Sequence, residues 1–285
     1  MHCLTINQSS SVQFVKADTR SWQSQVSAFK AAIRFHPAQT LDTVVAGAGN
    51  FSETFIKREE QGLRSLADTP AEPATVAWET NAIGTFFTAK LAQLYFELPP
   101  PSGTSPSPAT TDDQPKSLIL IASLAAYVDI PFMAAYTSSK YGVRGLFRSI
   151  RPVFAGRGHR VNLMAPWAIP TPMTAEWIPM FRAVGAAEGS MGQAVAAALR
   201  FAADPGVNGE SSPLLLCEAG LGRWRRVADF WEGRAFAVGP RRVLDLGDEP
   251  EGWNAGKVMR EMLEDDVAGW DEHVEKMLGL MGLSF

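Results

Sequence analysis

Short apolar runs alternate along this chain with longer segments of helical spacing. The runs are rich in Val, Ile and Leu and cover residues 12–17, 41–48, 117–126, 160–165 and 212–218. Apolar residues recur at helical spacing over residues 21–35, 78–96, 135–154 and 189–203. Such runs are typical of strands buried on both faces, and strands that alternate with helices form parallel sheets. The pattern therefore predicts an α/β fold with helices on both faces of a parallel sheet.

The composition is that of an ordinary globular chain, with 46% apolar and 20% charged residues among 285. The 26 basic and 30 acidic residues give a net charge of −4. This balance lacks the positive surface that binding to a nucleic-acid backbone requires, so nucleic acid is not an expected partner. The four histidines are scattered without metal-ligand spacing, and no metal site is expected.

The start of the chain and its cysteines favour the cytoplasm. No basic region is followed there by an apolar one, and the longest apolar stretch, residues 117–128, is too short to cross a bilayer. Cys3 and Cys217 are the only cysteines, and Cys217 lies in an apolar run typical of a buried free thiol. We therefore expect a cytoplasmic protein without a membrane partner.

One segment interrupts the alternation and another follows it. Residues 99–116 are rich in Pro, Ser and Thr and hold almost nothing to bury, which predicts a flexible insertion. This insertion would lie within a domain that covers residues 1–220. Residues 221–285 form a C-terminal extension, expected to pack on the same domain, with helical spacing over residues 258–280.

Tyr136 and Lys140 are the pair that most directly indicates chemistry. Four residues apart on a predicted helix, they share one face with Cβ atoms about 5–6 Å apart. A tyrosine pKa of about 10 moves toward neutrality when a nearby ammonium favours the phenolate. Such a phenol can serve as general acid or base. The pair also arises by chance on many helices, as a half-exposed tyrosine beside a solvated lysine.

Three further strings give the pair its context. Ser123 follows a predicted strand, at the sheet edge where open α/β folds bind ligands. Asn81 lies upstream in Glu-Thr-Asn-Ala-Ile-Gly, and Asn-Leu-Met-Ala-Pro begins at Asn162 downstream. Together with the tyrosine–lysine pair, these strings resemble the short-chain dehydrogenase/reductase family, from about residue 12 to residue 220.

The resemblance implies a Rossmann-like sheet and a catalytic tetrad formed by Asn81, Ser123, Tyr136 and Lys140. In the family's terms Tyr136 transfers the proton and Ser123 positions the substrate oxygen. Lys140 lowers the tyrosine pKa and holds the nicotinamide ribose. Asn81 anchors a water molecule that continues the proton relay.

A nicotinamide cofactor is also implied by the resemblance, with NADP(H) preferred to NAD(H). Asp18 resembles the aspartate that contacts the adenine. Ile169 and Thr171 match the segment that binds the nicotinamide amide and the pyrophosphate. The other cofactor-binding residues that the resemblance implies are Asn81, Tyr136 and Lys140.

The chain departs from the family pattern in two places. The family begins with a strand and a glycine-rich turn that binds the pyrophosphate at a helix N-terminus. This sequence begins at what resembles the third strand, so we interpret it as an N-terminally truncated member in which cofactor binding is weakened or lost. Residues 12–17 would then pair with residues 41–48, with strands of a partner molecule, or not at all. The second departure is Trp167, where the family has glycine.

The leading functional hypothesis is an NAD(P)(H)-dependent oxidoreductase that interconverts a ketone and a secondary alcohol, with Tyr136 as proton donor or acceptor. One alternative is a redox-neutral isomerase, dehydratase or cyclase that uses the same side chains for acid–base chemistry. A second alternative is a non-catalytic pseudoenzyme.

Family analogy also suggests the substrate and the assembly. The apolar residues 167–189 occupy the position of the family's substrate loop, which favours a lipophilic small molecule, and the strings most resemble fungal members of secondary metabolism. The helices predicted over residues 78–96 and 135–154 correspond to the family's dimer interface. A homodimer or homotetramer is therefore expected.

Overall fold

The fold was analysed in a computed structural model of the chain. The structure describes residues 12–52, 63, 65–99, 115–128, 130, 133–203, 214–217, 224–227, 235–239, 243–246, 273, 275–276 and 279–280. The central part of the predicted insertion, residues 100–114, and most of the C-terminal extension lie outside these ranges.

A five-stranded sheet forms the centre of the described fold. The described residues form seven strands, five of which belong to this sheet. In chain order they are β1 (Thr43–Ala46), β2 (Ser117–Ile121), β3 (Arg160–Pro166), β4 (Leu214–Cys217), β5 (Trp224–Val227), β6 (Ala235–Val238) and β7 (Val243–Asp245). The sheet order is β1-β2-β3-β6-β7. The first four of these strands run parallel and β7 is antiparallel to β6. The predicted α/β class with a parallel sheet is confirmed.

Helices cover both faces of this sheet. They are α1 (Trp22–Phe35), α2 (Gly84–Phe96), α3 (Ala134–Ala155), α4 (Ile178–Val184) and α5 (Met191–Ala203), with a π-helical segment at Trp78–Ile83 and a 3-10 turn at Leu124–Ala126. Helices α2 and α3 pack on one face, α1 packs against α2, and α5 packs on the other face. Helix α1 begins where sequence predicts, because the Ser21 hydroxyl accepts the Ser24 backbone N–H at 3.3 Å.

Successive side chains of a strand point to opposite faces of the sheet, so one strand contributes residues to the cores on both faces. In β2, Leu118 and Leu120 join the core that contains α2 and α3, whereas Ile119 joins the core that contains α5. All three are fully buried, so β2 is apolar from Leu118 onward rather than alternating with polar residues. At the edge strand β1 the pattern changes, and the Val45 side chain is 52% exposed.

The strand expected over residues 12–17 does not form. Val12 makes a single bridge, and residues 13–18 have no regular secondary structure. The Phe14 side chain is 57% exposed. An apolar run becomes a strand only when a neighbour satisfies its backbone groups. β1 is one of the neighbours considered for it, and among the described residues β1 pairs with β2 on one edge and with no strand on the other.

The last parallel strand is also not the one expected. Residues 214–217 are extended, but β4 pairs antiparallel with β5 in a separate two-stranded sheet. The place beside β3 belongs to β6, from Leu163 opposite Ala235 to Pro166 opposite Val238. The expectation that residues 212–218 supply the last strand of the parallel sheet is therefore wrong. Apolar composition indicates that a strand is buried, but it does not indicate which strand it pairs with.

The remaining expectations concern segments that are described only in part. Of the helix expected over residues 258–280, residues 273, 275–276 and 279–280 are described and helical. Within the described ranges, no helix is both long and apolar enough to cross a membrane.

Candidate active site

A cavity of about 490 Å³ opens at the carboxyl ends of the parallel strands. Such an edge is where open α/β sheets bind ligands, because successive strand ends deliver their loops to one place. Gly47 and Gly49 follow β1, Ser123 follows β2, and Trp167 follows β3. The start of α3 contributes Tyr136 and Lys140 to the same cavity. The structure thus brings together three of the four residues predicted as the catalytic tetrad.

The Ser123 hydroxyl lies close enough to the Tyr136 phenol to lower its pKa, and both side chains line the cavity. The Ser123 hydroxyl also caps the 3-10 turn, accepting the Ala125 backbone N–H at 3.2 Å. Tyr136 lies in the first turn of α3, so both side chains are carried by rigid backbone. A hydroxyl and a phenol in contact at a cavity wall can share one substrate oxygen between them.

Lys140 lies one helical turn beyond Tyr136, with only 4% of its side chain exposed. Its Nζ donates to the Ile121 carbonyl oxygen at 3.1 Å and lies 5.7 Å from the centroid of the Tyr136 ring. A β-carbon added to Gly49 would lie 3.9 Å from the Lys140 Nζ. The ammonium is therefore held beside the phenol and close to the backbone of the β1 loop.

Burial governs the protonation of both groups. It raises the pKa of Tyr136 above its ordinary value of 10.0, and the hydrogen bond with Ser123 offsets this only in part. Burial lowers the pKa of Lys140 to about 8. The sequence led us to expect a lowered tyrosine pKa, and the structure gives the opposite direction. The reason is that an apolar wall surrounds the phenol, while the ammonium is hydrogen-bonded to a backbone carbonyl.

Asn81 lies in the π-helical segment and is completely buried. Its Oδ1 accepts the Asn50 backbone N–H at 2.7 Å, and its Nδ2 donates to the Asn50 carbonyl oxygen and the Ser139 hydroxyl, both at 2.9 Å. The side chain thus ties the loop after β1 to α3 and is not part of the cavity wall. π-Helical turns often occur at functional sites.

The expected cofactor-binding residues divide into two groups. Asp18 lies on the surface away from the cavity wall, in an ion pair with Arg20 at 2.8 Å that holds its pKa at about 2. Ile169 and Thr171 line the cavity. The Thr171 backbone N–H donates to the Thr174 hydroxyl at 2.9 Å, and that hydroxyl donates to the Ile169 carbonyl oxygen at 2.6 Å. This turn fixes both residues where the chain leaves β3.

Phe51 is a side chain at this site that the sequence analysis did not assign to it, whereas Trp177 belongs to the apolar segment expected there. The Phe51 ring lies 4.7 Å from the Tyr136 ring and 5.3 Å from the Trp177 ring, centroid to centroid. Phe51 follows the Gly-Ala-Gly turn after β1, and its closeness to that strand end was the available signal. Together the two rings form an apolar wall over the phenol.

The sequence of this chain matches a known protein family. The family model described as short chain dehydrogenase matches residues 3–180. The chain belongs to the short-chain dehydrogenase family. Membership confirms the resemblance drawn from the tyrosine–lysine pair and its neighbouring strings, and places the protein among oxidoreductases.

Individual members of the short-chain dehydrogenase family resemble the chain over different extents. 5'-Hydroxyaverantin dehydrogenase stcG of Emericella nidulans is 33% identical over 90% of this chain and 79% of its own length. NADP-dependent dehydrogenase clz5 of Cochliobolus lunatus is 35% identical over 55% of this chain and 54% of its own length. The Pseudomonas aeruginosa RhlG/NADP active-site complex superposes with a TM-score of 0.52 at 18% identity, covering 67% of this chain and 70% of that one. This last likeness confirms the fold.

Proposed function

We propose that this short-chain dehydrogenase is an NAD(P)(H)-dependent oxidoreductase that interconverts a ketone and a secondary alcohol on a lipophilic small molecule. The observation that carries the proposal is that the Ser123 hydroxyl and the Tyr136 phenol lie close together at the wall of an apolar cavity. Lys140 lies one helical turn away, with its ammonium held inside the same wall.

Tyr136 is the proton donor in the direction of reduction. Its raised pKa keeps the phenol protonated at neutral pH, so a proton is available for a carbonyl oxygen that accepts both hydroxyls. Ser123 holds that oxygen in place. A nicotinamide bound in this cavity would supply the hydride to the carbonyl carbon in reduction and would accept it in oxidation. In oxidation the phenolate takes the hydroxyl proton of the alcohol back.

The residues around the cavity fit the nicotinamide half of the cofactor. Lys140 has three N–H donors, and one is used by Ile121 within the described part of the chain, so donors remain for ribose hydroxyls. Gly49 leaves the space beside the Lys140 Nζ open to a ligand. Ile169 and Thr171 would hold the amide and the adjoining phosphate. Asp18 lies outside this wall, so its contact with adenine stays a prediction.

The cavity wall favours a lipophilic substrate. Thioethers and aromatic rings supply part of the wall away from the tyrosine, among them Met133, Met173, Met180, Met191, Phe51 and Trp177. Such a surface binds apolar rings and chains and fixes their orientation through few polar groups. The resemblance to a dehydrogenase of 5'-hydroxyaverantin supports a role in secondary metabolism.

Cofactor preference and cellular setting belong to the same proposal. The resemblance to an NADP-dependent dehydrogenase supports NADP(H) over NAD(H). We place the enzyme in the cytoplasm, as a homodimer or homotetramer assembled through α2 and α3.

A binding titration with NADPH and NADH tests the proposal before any substrate is known. We expect the full-length protein to bind at least one of them, and Lys140→Met to weaken that binding by at least tenfold. Lys90→Met, which removes an exposed lysine of α2, serves as the matched control and leaves affinity unchanged. Absence of binding to either nucleotide would refute the proposal. Turnover of a substrate without nucleotide would favour redox-neutral chemistry.

A further inference from the structure

Trp167 is the first residue after β3 and is almost fully buried, with 6% of its side chain exposed. Its backbone N–H donates to the Val238 carbonyl oxygen at 2.9 Å, so β6 fixes the position from which the indole projects. The family pattern noted in the sequence analysis has glycine at this point, where this chain has an indole.

The indole reaches the far end of the segment that covers the cavity. This segment, residues 170–189, is named here the cavity segment, and it supplies Thr171, Met173, Thr174, Trp177, Met180 and Phe181 to the cavity wall. The Trp167 Nε1–H donates to the Ala187 carbonyl oxygen at 2.8 Å. Its ring also meets the Phe181 ring edge to face, at 5.8 Å between centroids and 77° between planes.

Backbone contacts bring the cavity segment back to the place where it started. The Gly189 N–H donates to the Ala168 carbonyl oxygen at 2.8 Å. A β-carbon on Gly189 would lie 2.9 Å from the Ile169 Cγ1, closer than side chains pack, so the approach requires glycine. The segment is therefore a closed loop whose two ends meet at the end of β3, with the Trp167 indole beneath it.

The geometry points to Trp167 as a positioning residue that holds the cavity segment against the sheet before a substrate binds. The indole combines a buried hydrogen bond to one end of the segment with ring packing against α4 in its middle. With a small residue in its place, the Gly189–Ala168 backbone bond would remain, and the rest of the segment would have to become ordered when a substrate binds. The entropy lost when the cavity segment becomes ordered at that moment lowers the affinity for the substrate, while the geometry of the bound complex stays the same.

Hydrogen exchange on the full-length protein without ligands tests this directly. We expect amides of residues 170–189 to exchange up to about tenfold faster in Trp167→Phe, which keeps a ring and loses the N–H donor. Trp167→Gly should accelerate the same amides further. Trp22→Phe is the matched control, because Trp22 packs edge to face on Phe87 at 5.5 Å and lies outside the cavity wall. It should leave residues 170–189 unchanged.

Two exchange results would overturn the inference. One is unchanged protection of residues 170–189 in both Trp167 variants. The other is equal acceleration in β2 and β3, since that pattern reports general destabilisation rather than release of the cavity segment.

A kinetic measurement extends the test and, unlike the exchange experiment, rests on the proposed function. For a ketone that the wild type reduces, Trp167→Gly should raise KM by about tenfold and leave kcat within about twofold. A fall in kcat at constant KM would overturn the positioning role, because it would indicate a part in the chemical step. If the enzyme reduces no ketone, the proposed function fails while the exchange result still decides the role of Trp167.

Discussion

The side-chain amide of Asn81 bonds both backbone groups of Asn50, accepting its N–H at 2.7 Å and donating to its carbonyl oxygen at 2.9 Å. This pair of bonds fixes the loop that follows β1, on which Gly49 and Phe51 reach the cavity. The third bond, from the Asn81 Nδ2 to the Ser139 hydroxyl, joins that loop to the helix of Tyr136.

We predict that Asn81→Ala lowers the free energy of unfolding by about 1–3 kcal/mol, since it leaves two partly buried backbone groups of Asn50 without this partner and removes a buried bond to Ser139. Asn50→Ala is the matched control: the bonds use only the Asn50 backbone, and the buried Asn50 Oδ1 has no hydrogen bond to any residue that the structure describes. Urea denaturation of both variants measures the difference. Equal losses in the two would contradict the role assigned to Asn81.

Removal of the Phe51 ring should change the ionisation of Tyr136. Phe51→Ala admits water beside the phenol, so the pKa of Tyr136 should fall from its raised value toward 10. Phe86→Ala, at an exposed position of α2, is the control and should have no effect. An NMR titration of labelled tyrosine measures both. If the pKa of Tyr136 is unchanged in Phe51→Ala, the Phe51 ring does not contribute to the burial of the phenol.

Lys140 should make stability depend on pH above neutrality. Burial lowers its folded-state pKa to about 8 from 10.5, so between these values the unfolded chain binds more protons than the folded chain. The free energy of unfolding then rises with pH across this window, by at most about 3 kcal/mol for this group. Below about pH 8 Lys140 is charged in both the folded and the unfolded chain, so the whole unfavourable free energy of burying the ammonium opposes folding.

The measurement compares denaturation of the wild type and Lys140→Met from about pH 7 to pH 9.5, below the range in which Tyr136 ionises. The wild type should gain stability relative to the variant as the pH increases. A constant difference across this range would show that the ammonium carries no burial cost.

An apolar stripe on α2 and the preceding turn is expected to form a dimer interface. Ile83, Phe86 and Leu94 lie on one side at helical spacing, and the Phe86 side chain is 53% exposed. Phe86→Glu should convert the dimer to a monomer, as measured by light scattering. Phe35→Glu, at the exposed end of α1, should leave the mass unchanged. A wild-type monomer at micromolar concentration would refute the interface.

The positions of most helices and of strands β1, β2 and β3 could be predicted, because the spacing of apolar residues indicates which side of an element is buried. The predicted range 21–35 became α1, and residues 160–165 became β3, each within a residue or so. Pairing could not be predicted in the same way. The β6 sequence Ala-Phe-Ala-Val is short and half alanine, a composition that does not favour a strand, and its pairing with β3 and β7 makes it one.

The site was predictable where spacing along one helix carries the geometry, as for Tyr136 and Lys140. It was not predictable where the contact crosses between elements. The contact of Phe51 with Tyr136 depends on how the loop after β1 folds, and the bond from Trp167 to Ala187 spans a closed loop. The direction of the tyrosine pKa failed for a related reason, since it depends on the burial of the phenol and not on sequence spacing.

The most direct test of the account is the rate of NADPH-dependent reduction of apolar ketones by Tyr136→Phe, with Tyr141→Phe as the matched control on the exposed side of α3. The account predicts that Tyr136→Phe lowers the rate by on the order of a hundredfold to ten-thousandfold while the protein stays folded and still binds NADPH. Tyr141→Phe should retain the wild-type rate. A wild-type rate in Tyr136→Phe would contradict the central claim that this phenol donates the proton.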